Sequence, residues 1–195
     1  WAFATPYYWP KNGNLSFIAY SPYTAAVSAT ATVTDAGIKF TGYEVGDAAD
    51  VDLLFSEVSR NKTKADINTV APYSGIDIQF RHALSSIHVY VKTDMTYPAG
   101  TITINKVELQ NVYKSGDFKE SLVFGTEAES ATTANWVGQH NSGTIVLGST
   151  DQPVVYDAAK YGTTSMLIPQ EFDHGTDGIT TLYVEYTIKN GDDTT

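Results

Sequence analysis

The sequence contains no cysteine. A disulfide framework, a thiol nucleophile and a thiolate metal site are therefore excluded. Basic residues are also scarce, with 12 Lys and Arg against 22 Asp and Glu, and the net charge is -10. Because such a surface repels phosphate groups, nucleic acids and anionic membrane surfaces are disfavoured as partners.

Long apolar runs are missing as well. No run approaches the ~20 residues that a membrane-spanning helix requires, so we expect no membrane-spanning segment. No signal peptide is visible, and the chain begins at Trp1 rather than at Met. We interpret the sequence as a mature or trimmed fragment whose targeting segment lies outside it.

Motifs typical of catalysis and metal binding are also absent from the sequence. It has no Gly-x-Ser-x-Gly nucleophile elbow and no Gly-rich phosphate loop between a strand and a helix. Its histidines do not have the i, i+2 or i, i+4 spacing that places two metal ligands on one strand or helix. We therefore predict no enzymatic activity, no metal and no cofactor. The four histidines are His82, His88, His140 and His174.

Several carboxylates lie close to one another in the sequence. A glycosidase needs two carboxyl groups that face each other across a cleft, and proximity in sequence does not provide this. We interpret the clustered acids as solvated loop charges. A β-sandwich hydrolase or lyase is the third-ranked alternative, and its one hint is that His88 and Tyr90 share a strand face. The clustered acids are Glu44, Asp47, Asp50, Asp52, Glu127 and Glu129.

The residues that are abundant favour β-structure. Only 17% of residues are charged, whereas there are 13 tyrosines. Aromatic and β-branched side chains fit a pleated, half-buried surface. Apolar and polar residues alternate in short runs separated by turn signals, which predicts an all-β fold. The predicted strands lie at 15–19, 38–40, 51–55, 76–80, 87–91, 102–111 and 182–188.

Three details refine this prediction. A slip in the alternation after Ile104 predicts a bulge near Asn105 and Lys106, beyond which Val107, Leu109 and Asn111 share a face. The best helical candidates are short, at 82–85 and 157–160. A polar, charge-mixed stretch followed by Asn68–Ser74 predicts a boundary between two domains, 1–70 and 71–195.

Aromatic residues are concentrated near the N-terminus. Flat rings stack on sugars, so a surface glycan-binding module is the main alternative function, although a core or interface of bulky residues is the simpler interpretation. The candidate stacking residues are Trp1, Tyr7, Tyr8, Trp9 and Trp136.

Four segments together resemble the fimbrillin-like proteins of gram-negative gut and oral anaerobes. Trp9–Pro10 followed by Leu15–Pro22 (LSFIAYSP) resembles their early strand, and Asp52–Ser56 (DLLFS) the segment that closes their N-terminal domain. Ile76–Val91 is similar to their most recognisable stretch, an apolar strand that runs into HALS and then into another strand. Met166–Gln170 (MLIPQ) resembles a late strand. The segments follow the family's order along nearly the whole chain.

The resemblance implies two transthyretin-like antiparallel β-sandwich domains, the first incomplete at its N-terminus and the second at its C-terminus. It also implies a lipoprotein exported to the cell surface, outer-membrane-anchored or fimbrial, that serves as a stalk, tip or anchor of fimbriae. The implied partners are other fimbrial subunits, joined by strand donation, and host protein or glycan receptors. Stalk subunits of the family lose a first strand to a protease that cuts after Arg. Arg60 and Arg81 are both predicted inside the folded body, so no processing site is assigned.

The C-terminal strand is the expected assembly site. Residues 180–188 alternate strongly, Asn190–Gly191 is a favoured hairpin turn, and the chain ends at Thr195 before any return strand. We predict a groove or open edge beside residues 180–188. The residues expected to line it are Leu182, Val184, Tyr186 and Ile188.

Overall fold

The computed structural model describes residues 8–23, 29–34, 37–45, 51–67, 75–94, 101–119, 135–172, 179–190 and 193–194. These residues form antiparallel strands and one turn of 3-10 helix, at Lys64–Asp66, so the all-β prediction is confirmed. In chain order the strands are β1 (Leu15–Phe17), β2 (Tyr20–Ser21), β3 (Thr30–Thr34), β4 (Gly37–Glu44), β5 (Leu54–Ser56), β6 (Ser59–Lys62), β7 (Phe80–His82), β8 (Ser85–Val91), β9 (Ile102–Lys119), β10 (Trp136–Gly148), β11 (Gln152–Pro153), β12 (Ala159–Leu167), β13 (Thr181–Asn190) and β14 (Asp193–Thr194).

Strand β9 is the centre of the largest sheet. Along one edge it pairs with β11 and then with β10. Along the other edge β13 pairs with its N-terminal half and β4 with its C-terminal end, and β3 continues outward from β4. The smaller sheets are β2-β5-β7, β12-β8 and β1-β6. One long strand therefore carries two successive sets of neighbours.

Two separate clusters of buried side chains follow from this arrangement. The first core joins β4, the C-terminal end of β9 and the start of β10 to the β2-β5-β7 sheet. The second core joins the N-terminal half of β9 and the end of β10 to the β12-β8 sheet. The first core comprises Ile38, Phe40, Tyr43, Val45, Leu53, Phe55, Ala83, Leu84, Phe118, Trp136 and Ile168. The second core comprises Ile104, Val107, Leu109, Val112, Ile145, Leu147, Tyr161 and Leu167.

The predicted bulge in β9 is confirmed. Glu185 of β13 pairs with Lys106, and the next residue, Tyr186, pairs with Ile104, so Asn105 is the extra residue. The expectation that Asn111 continues the alternation is wrong. Asn111 has φ 58° and is skipped in the pairing with β10, so it forms a second bulge, and Val112 takes the buried position.

Other predictions need correction. Residues 157–160 are not helical, because Ala159 and Lys160 begin β12 and pair with Val91 and Tyr90. Residues 82–85 are not helical either: His82 ends β7 and Ser85 begins β8. The strand expected at 76–80 starts only at Phe80. Pairing with β8 overrides the helical character of Ala159 and Lys160, whereas residues 76–79 have no strand partner in the described part of the chain.

Candidate functional site

Strand β13 lies at the margin of the large sheet. It pairs with β9 from Thr181 to Ile188 as an antiparallel ladder that contains one bulge. On its other side β14 pairs only with Lys189 and Asn190. The prediction that the chain ends before any return strand is thus wrong in one respect: β14 is a return strand of two residues. Within the described parts of the chain, no strand pairs with the outer edge of residues 181–187.

The register of β13 decides which of its side chains face the second core. Residues opposite each other in an antiparallel pair lie on the same face of the sheet. Leu182 is opposite Leu109 and Val184 is opposite Val107, both of which belong to the second core. After the bulge, Tyr186 and Ile188 are opposite Ile104 and Ile102. The same four residues predicted from the sequence therefore form one face, called here the open face: Leu182, Val184, Tyr186 and Ile188.

The open face is not covered by the rest of the described structure. Its four side chains are 60%, 41%, 57% and 37% exposed in chain order, whereas Val107 beside them is 1% exposed. The opposing layer at this core is the two-stranded sheet of β12 and β8. Its apolar residues Ile87, Val89 and Val91 pack against the second core and stay partly buried. A core-facing row of apolar side chains is thus left in contact with solvent.

The opposite face of the same strands is polar and internally satisfied. The Lys106 Nζ atom lies 2.5 Å from Glu108 Oε1, and Gln110 Nε2 donates a hydrogen bond to Glu108 Oε2 at 3.0 Å. The bond to Lys106, followed by that to Gln110, lowers the pKa of Glu108. The bond to Glu108 raises the pKa of Lys106. Lys106 therefore offsets the charge of Glu108, and Glu185, opposite Lys106, also lies on this face. The two faces of β13 thus differ: one is polar and the other apolar.

The aromatic candidates are not brought together as a stacking platform. Trp136 is 4% exposed, and its Nε1 donates a hydrogen bond to the Ala83 carbonyl at 2.9 Å. Rings of Tyr43 and Phe118 pack against it, so it offers no face to a sugar. Tyr8 is 86% exposed, and Trp9 packs edge-on against Phe17. Trp1 and Tyr7 lie outside the described residues.

The histidines and carboxylates form no metal centre within the described ranges. His88 and Tyr90 do share the exposed face of β8. There, His88 lies 3.1 Å from the Ser86 hydroxyl through Nε2 and 3.3 Å from the Thr164 hydroxyl through Nδ1. Of the other candidates, Glu44 lies at the end of β4 and His140 contacts the Gly138 carbonyl. Those outside the described residues are Asp47, Asp50, Glu127, Glu129 and His174.

The two arginines occupy different environments. Arg60 lies on β6 and is exposed. Arg81 is buried on β7, and its guanidinium pairs with Glu57. A protease would reach Arg81 only after local unfolding, because its side chain is 4% exposed.

One pair of interacting residues was not predicted from the sequence. His82 Nδ1 is hydrogen-bonded to Asp52 Oδ2, and the two residues are 30 positions apart. The pairing of Leu54 with His82 in the β5–β7 ladder brings them together. Burial, followed by the charge of Asp52, raises the pKa of the nearby Tyr43 to about 12. No local pattern signals this cluster, because it depends on strand register.

Comparison with known proteins gives one finding. A family model described as fimbrillin-like matches residues 1–195, the whole chain. No curated protein and no solved structure matches at the significance required. No helix among the described residues has the length and apolar character to cross a membrane.

Proposed function

Because the chain belongs to the fimbrillin-like family, we propose that it is a structural or adhesive component of a bacterial surface fimbria assembled by β-strand donation. The family is structural rather than enzymatic and implies a cell-surface protein that assembles with other fimbrial subunits. The observation that supports strand donation is the open face of β13. Within this function, stalk, tip and anchor are all roles that the open face accommodates.

Within the described residues, strand β13 has an unpaired backbone edge and an exposed apolar face at the same place. The outer edge of residues 181–187 presents backbone N–H and C=O groups that no described strand pairs with, and such an edge is a template for another strand. The open face adds an apolar surface that continues the second core. A donated strand with alternating apolar residues satisfies the edge by main-chain hydrogen bonds and covers the core with every second side chain.

The proposal includes two domains. We propose that residues 1–70 and 71–195 are two transthyretin-like β-sandwich domains. The presence of two separate cores supports two packing units. The first core includes residues beyond position 70, such as Phe118 and Trp136, so the 71–195 part also supplies strands to the first unit. We also propose that the protein is a lipoprotein of the outer membrane, in keeping with the cell-surface location that the family implies.

The direct experiment is a denaturing gel of the native protein from its cell envelope, with and without boiling. Strand-exchanged polymers resist the detergent until heated, because release requires many main-chain hydrogen bonds and buried side chains to separate together. We expect a ladder of regularly spaced bands that collapses to one band on boiling. A single band in both lanes would exclude a stalk subunit.

A pair of adjacent substitutions tests the role of the open face. Val184 and Tyr183 are 41% and 40% exposed on neighbouring positions of β13, but they lie on opposite faces. A glutamate at Val184 places a charge where the donated strand must pack, and we expect the ladder to disappear. Tyr183→Glu is the matched control and leaves the ladder in place. Equal ladders in both variants would contradict assembly through the open face.

A further inference from the structure

The face of the β12-β8 sheet that is turned away from the second core is polar. Side chains alternate between the two faces along a strand, so Ser86, His88 and Tyr90 share this face of β8. All three residues are exposed. Ile87 and Val89, which lie between them, pack against the second core instead.

Strand β12 contributes to the same face. Residues that are opposite each other in an antiparallel pair lie on one face of the sheet. Lys160 is opposite Tyr90 at one end of the pairing. Met166 is opposite Ser86 near the other end. Both strands therefore supply side chains to one continuous surface.

A chain of hydrogen-bonded groups runs across this surface. Lys160 Nζ donates a hydrogen bond to the Thr164 hydroxyl at 2.9 Å. The same hydroxyl lies 3.3 Å from His88 Nδ1, and His88 Nε2 lies 3.1 Å from the Ser86 hydroxyl. The contacts hold these polar side chains in place. The surface is called here the outer face and comprises Ser86, His88, Tyr90, Lys160, Thr164 and Met166.

A pocket of about 510 Å³ adjoins one end of the outer face. Ser86 and Met166 line the pocket and also belong to the outer face, so the two are continuous. The volume of the pocket falls in the range of about 300–1,000 Å³ that small ligands occupy. Tyr90 is four positions from Ser86, which adds about 13 Å along the strand. The pocket and the outer face thus form an elongated site. The other lining residues of the pocket are Asp52, His82, Leu84 and Ser85.

The polar groups of the outer face suit a ligand that is rich in hydroxyls. A neutral imidazole has one donor and one acceptor nitrogen, and a hydroxyl can donate or accept. The contacts of His88 with Ser86 and Thr164 can therefore adjust to a ligand hydroxyl acting in either role. The Lys160 ammonium has N–H donors beyond the one given to Thr164.

Tyr90 adds an aromatic surface beside these groups. Its side chain is 64% exposed. The face of an aromatic ring is electronegative and attracts the weakly positive C–H groups of an apolar surface. A pyranose ring carries such C–H groups on its faces and hydroxyls around its rim. A sugar stacked on Tyr90 would have the Lys160 ammonium beside it, because these two residues are opposite each other.

The charge of the protein favours an uncharged ligand. The chain carries a net charge of -10, and the carboxylate of Asp52 contributes to the lining of the pocket. This field repels anions. Lys160 is the one lysine of the outer face, and its ammonium is already hydrogen-bonded to a hydroxyl.

We propose that the outer face and the adjoining pocket bind a neutral oligosaccharide, with one sugar ring stacked on Tyr90 and its hydroxyls bonded to Lys160 and Thr164. The next ring lies towards Ser86 and the pocket. This site is independent of strand donation, because it uses none of the residues of the open face.

The experiment is an NMR titration of the ¹⁵N-labelled full chain with three neutral trisaccharides: cellotriose, mannotriose and triacetylchitotriose. We expect at least one of them to cause saturable amide shifts at His88, Tyr90 and Thr164. Trigalacturonic acid, an acidic trisaccharide, should bind at least about fivefold more weakly than the best neutral one, because the negative field of the protein repels it.

Two exposed tyrosines provide matched variants. Tyr90→Ala should weaken binding of the best trisaccharide by about tenfold, because the stacking surface is lost. Tyr186→Ala removes a ring of similar exposure from the open face and should leave the sugar affinity unchanged. Amide spectra establish that both variants are folded. Tyr90→Ala should also keep the heat-sensitive ladder, so failure of sugar binding and failure of strand donation are distinguishable.

Three results would overturn the proposal. The first is the absence of shifts on the outer face with all three neutral trisaccharides, and the second is tighter binding of the acidic one. Both are measured on the unmodified chain, so they do not depend on the folding of a variant. The third is equal sugar affinity of Tyr90→Ala and the unmodified chain.

Discussion

The two cores of the molecule differ in composition and in closure. The first core is built around aromatic rings whose centroids lie 4.7 to 5.8 Å apart, with Phe118 in contact with Phe40, Phe55 and Trp136. The second core is mostly aliphatic and continues onto the open face, where Leu182 is 60% exposed. The first core is covered by its own chain, and the second extends to an edge that the described residues leave accessible.

Under the proposed strand donation, this difference would separate the residues that stabilise the chain from those that assemble it. Phe40, Phe55 and Phe118 are fully buried, so the first core supplies cohesion that needs no partner. The apolar side chains of the open face give little to the isolated chain, because they remain in water. Under the same proposal, burial of these side chains would contribute free energy to the binding of a second chain. Substitutions in each core should therefore have different consequences for the isolated chain.

The largest expected effect comes from removing a ring from the first core. Phe118→Ala should lower the free energy of unfolding by about 3–5 kcal/mol, because it leaves a cavity among packed rings. Tyr186→Ala on the open face is the contrasting variant and should cost less than about 1 kcal/mol, since Tyr186 is 57% exposed. Urea denaturation measures both. Similar losses in the two variants would mean that the open face is already buried in the isolated chain.

Alkaline pH should weaken the first core through Tyr43. Its pKa is raised from 10.0 to about 12 in the folded chain, mainly by burial and then by the charge of Asp52. Between these pH values the unfolded phenol ionises while the folded one stays protonated, so stability present below pH 10 is lost as pH rises towards 12. The loss approaches about 3 kcal/mol, from the two pH units.

Tyr43→Phe removes this ionisation. The free energy of unfolding of the unmodified chain, minus that of the variant, should therefore fall by about 3 kcal/mol between pH 10 and pH 12. Urea denaturation at a series of pH values measures this difference. Parallel pH profiles for the two proteins would show that the Tyr43 hydroxyl is not in a desolvated site.

The smallest effect tests close packing in the second core. Gly162 has φ +67°, and an added Cβ would overlap the Leu147 carbonyl oxygen and lie 2.8 Å from the Gly148 Cα. Gly138 has a similar φ of +60° but nothing within 4 Å of an added Cβ. Both alanine variants incur the strain of the left-handed conformation, and Gly162→Ala adds a steric clash of about 1–3 kcal/mol. Equal melting temperatures for the two variants would show that β10 and β12 are not tightly packed there.

Strands with strong alternation were predictable from the sequence. The prediction of β8 and β13 was confirmed because every second residue is apolar over most of their length. The slip in alternation after Ile104 predicted the bulge at Asn105. Short apolar runs were not reliable. Residues 157–160 look helical because of two alanines, but Ala159 is recruited into β12 by its pairing with Val91.

The candidate site was predictable in part. The residues of the open face were found because they lie on one face of a single strand, a property of local sequence. The pocket around Asp52 was not found, because its carboxylate and His82 come from different strands whose register no local pattern encodes. The burial of Trp136, a candidate for stacking on sugars, was not predicted for the same reason, since it depends on Tyr43 and Phe118 from β4 and β9.

The all-β fold and the alternation of β13 could be deduced without a structure, because side-chain periodicity and composition act over neighbouring residues. The family followed from the four segments that resemble its members. That one face of β13 continues a core that the described residues leave uncovered was visible only in the folded chain. The sequence specifies which side chains share a face of β13, but their exposure depends on whether another layer lies opposite them. That layer, the β12-β8 sheet, packs against the core residues of β9 and leaves Leu182, Val184 and Tyr186 exposed to solvent.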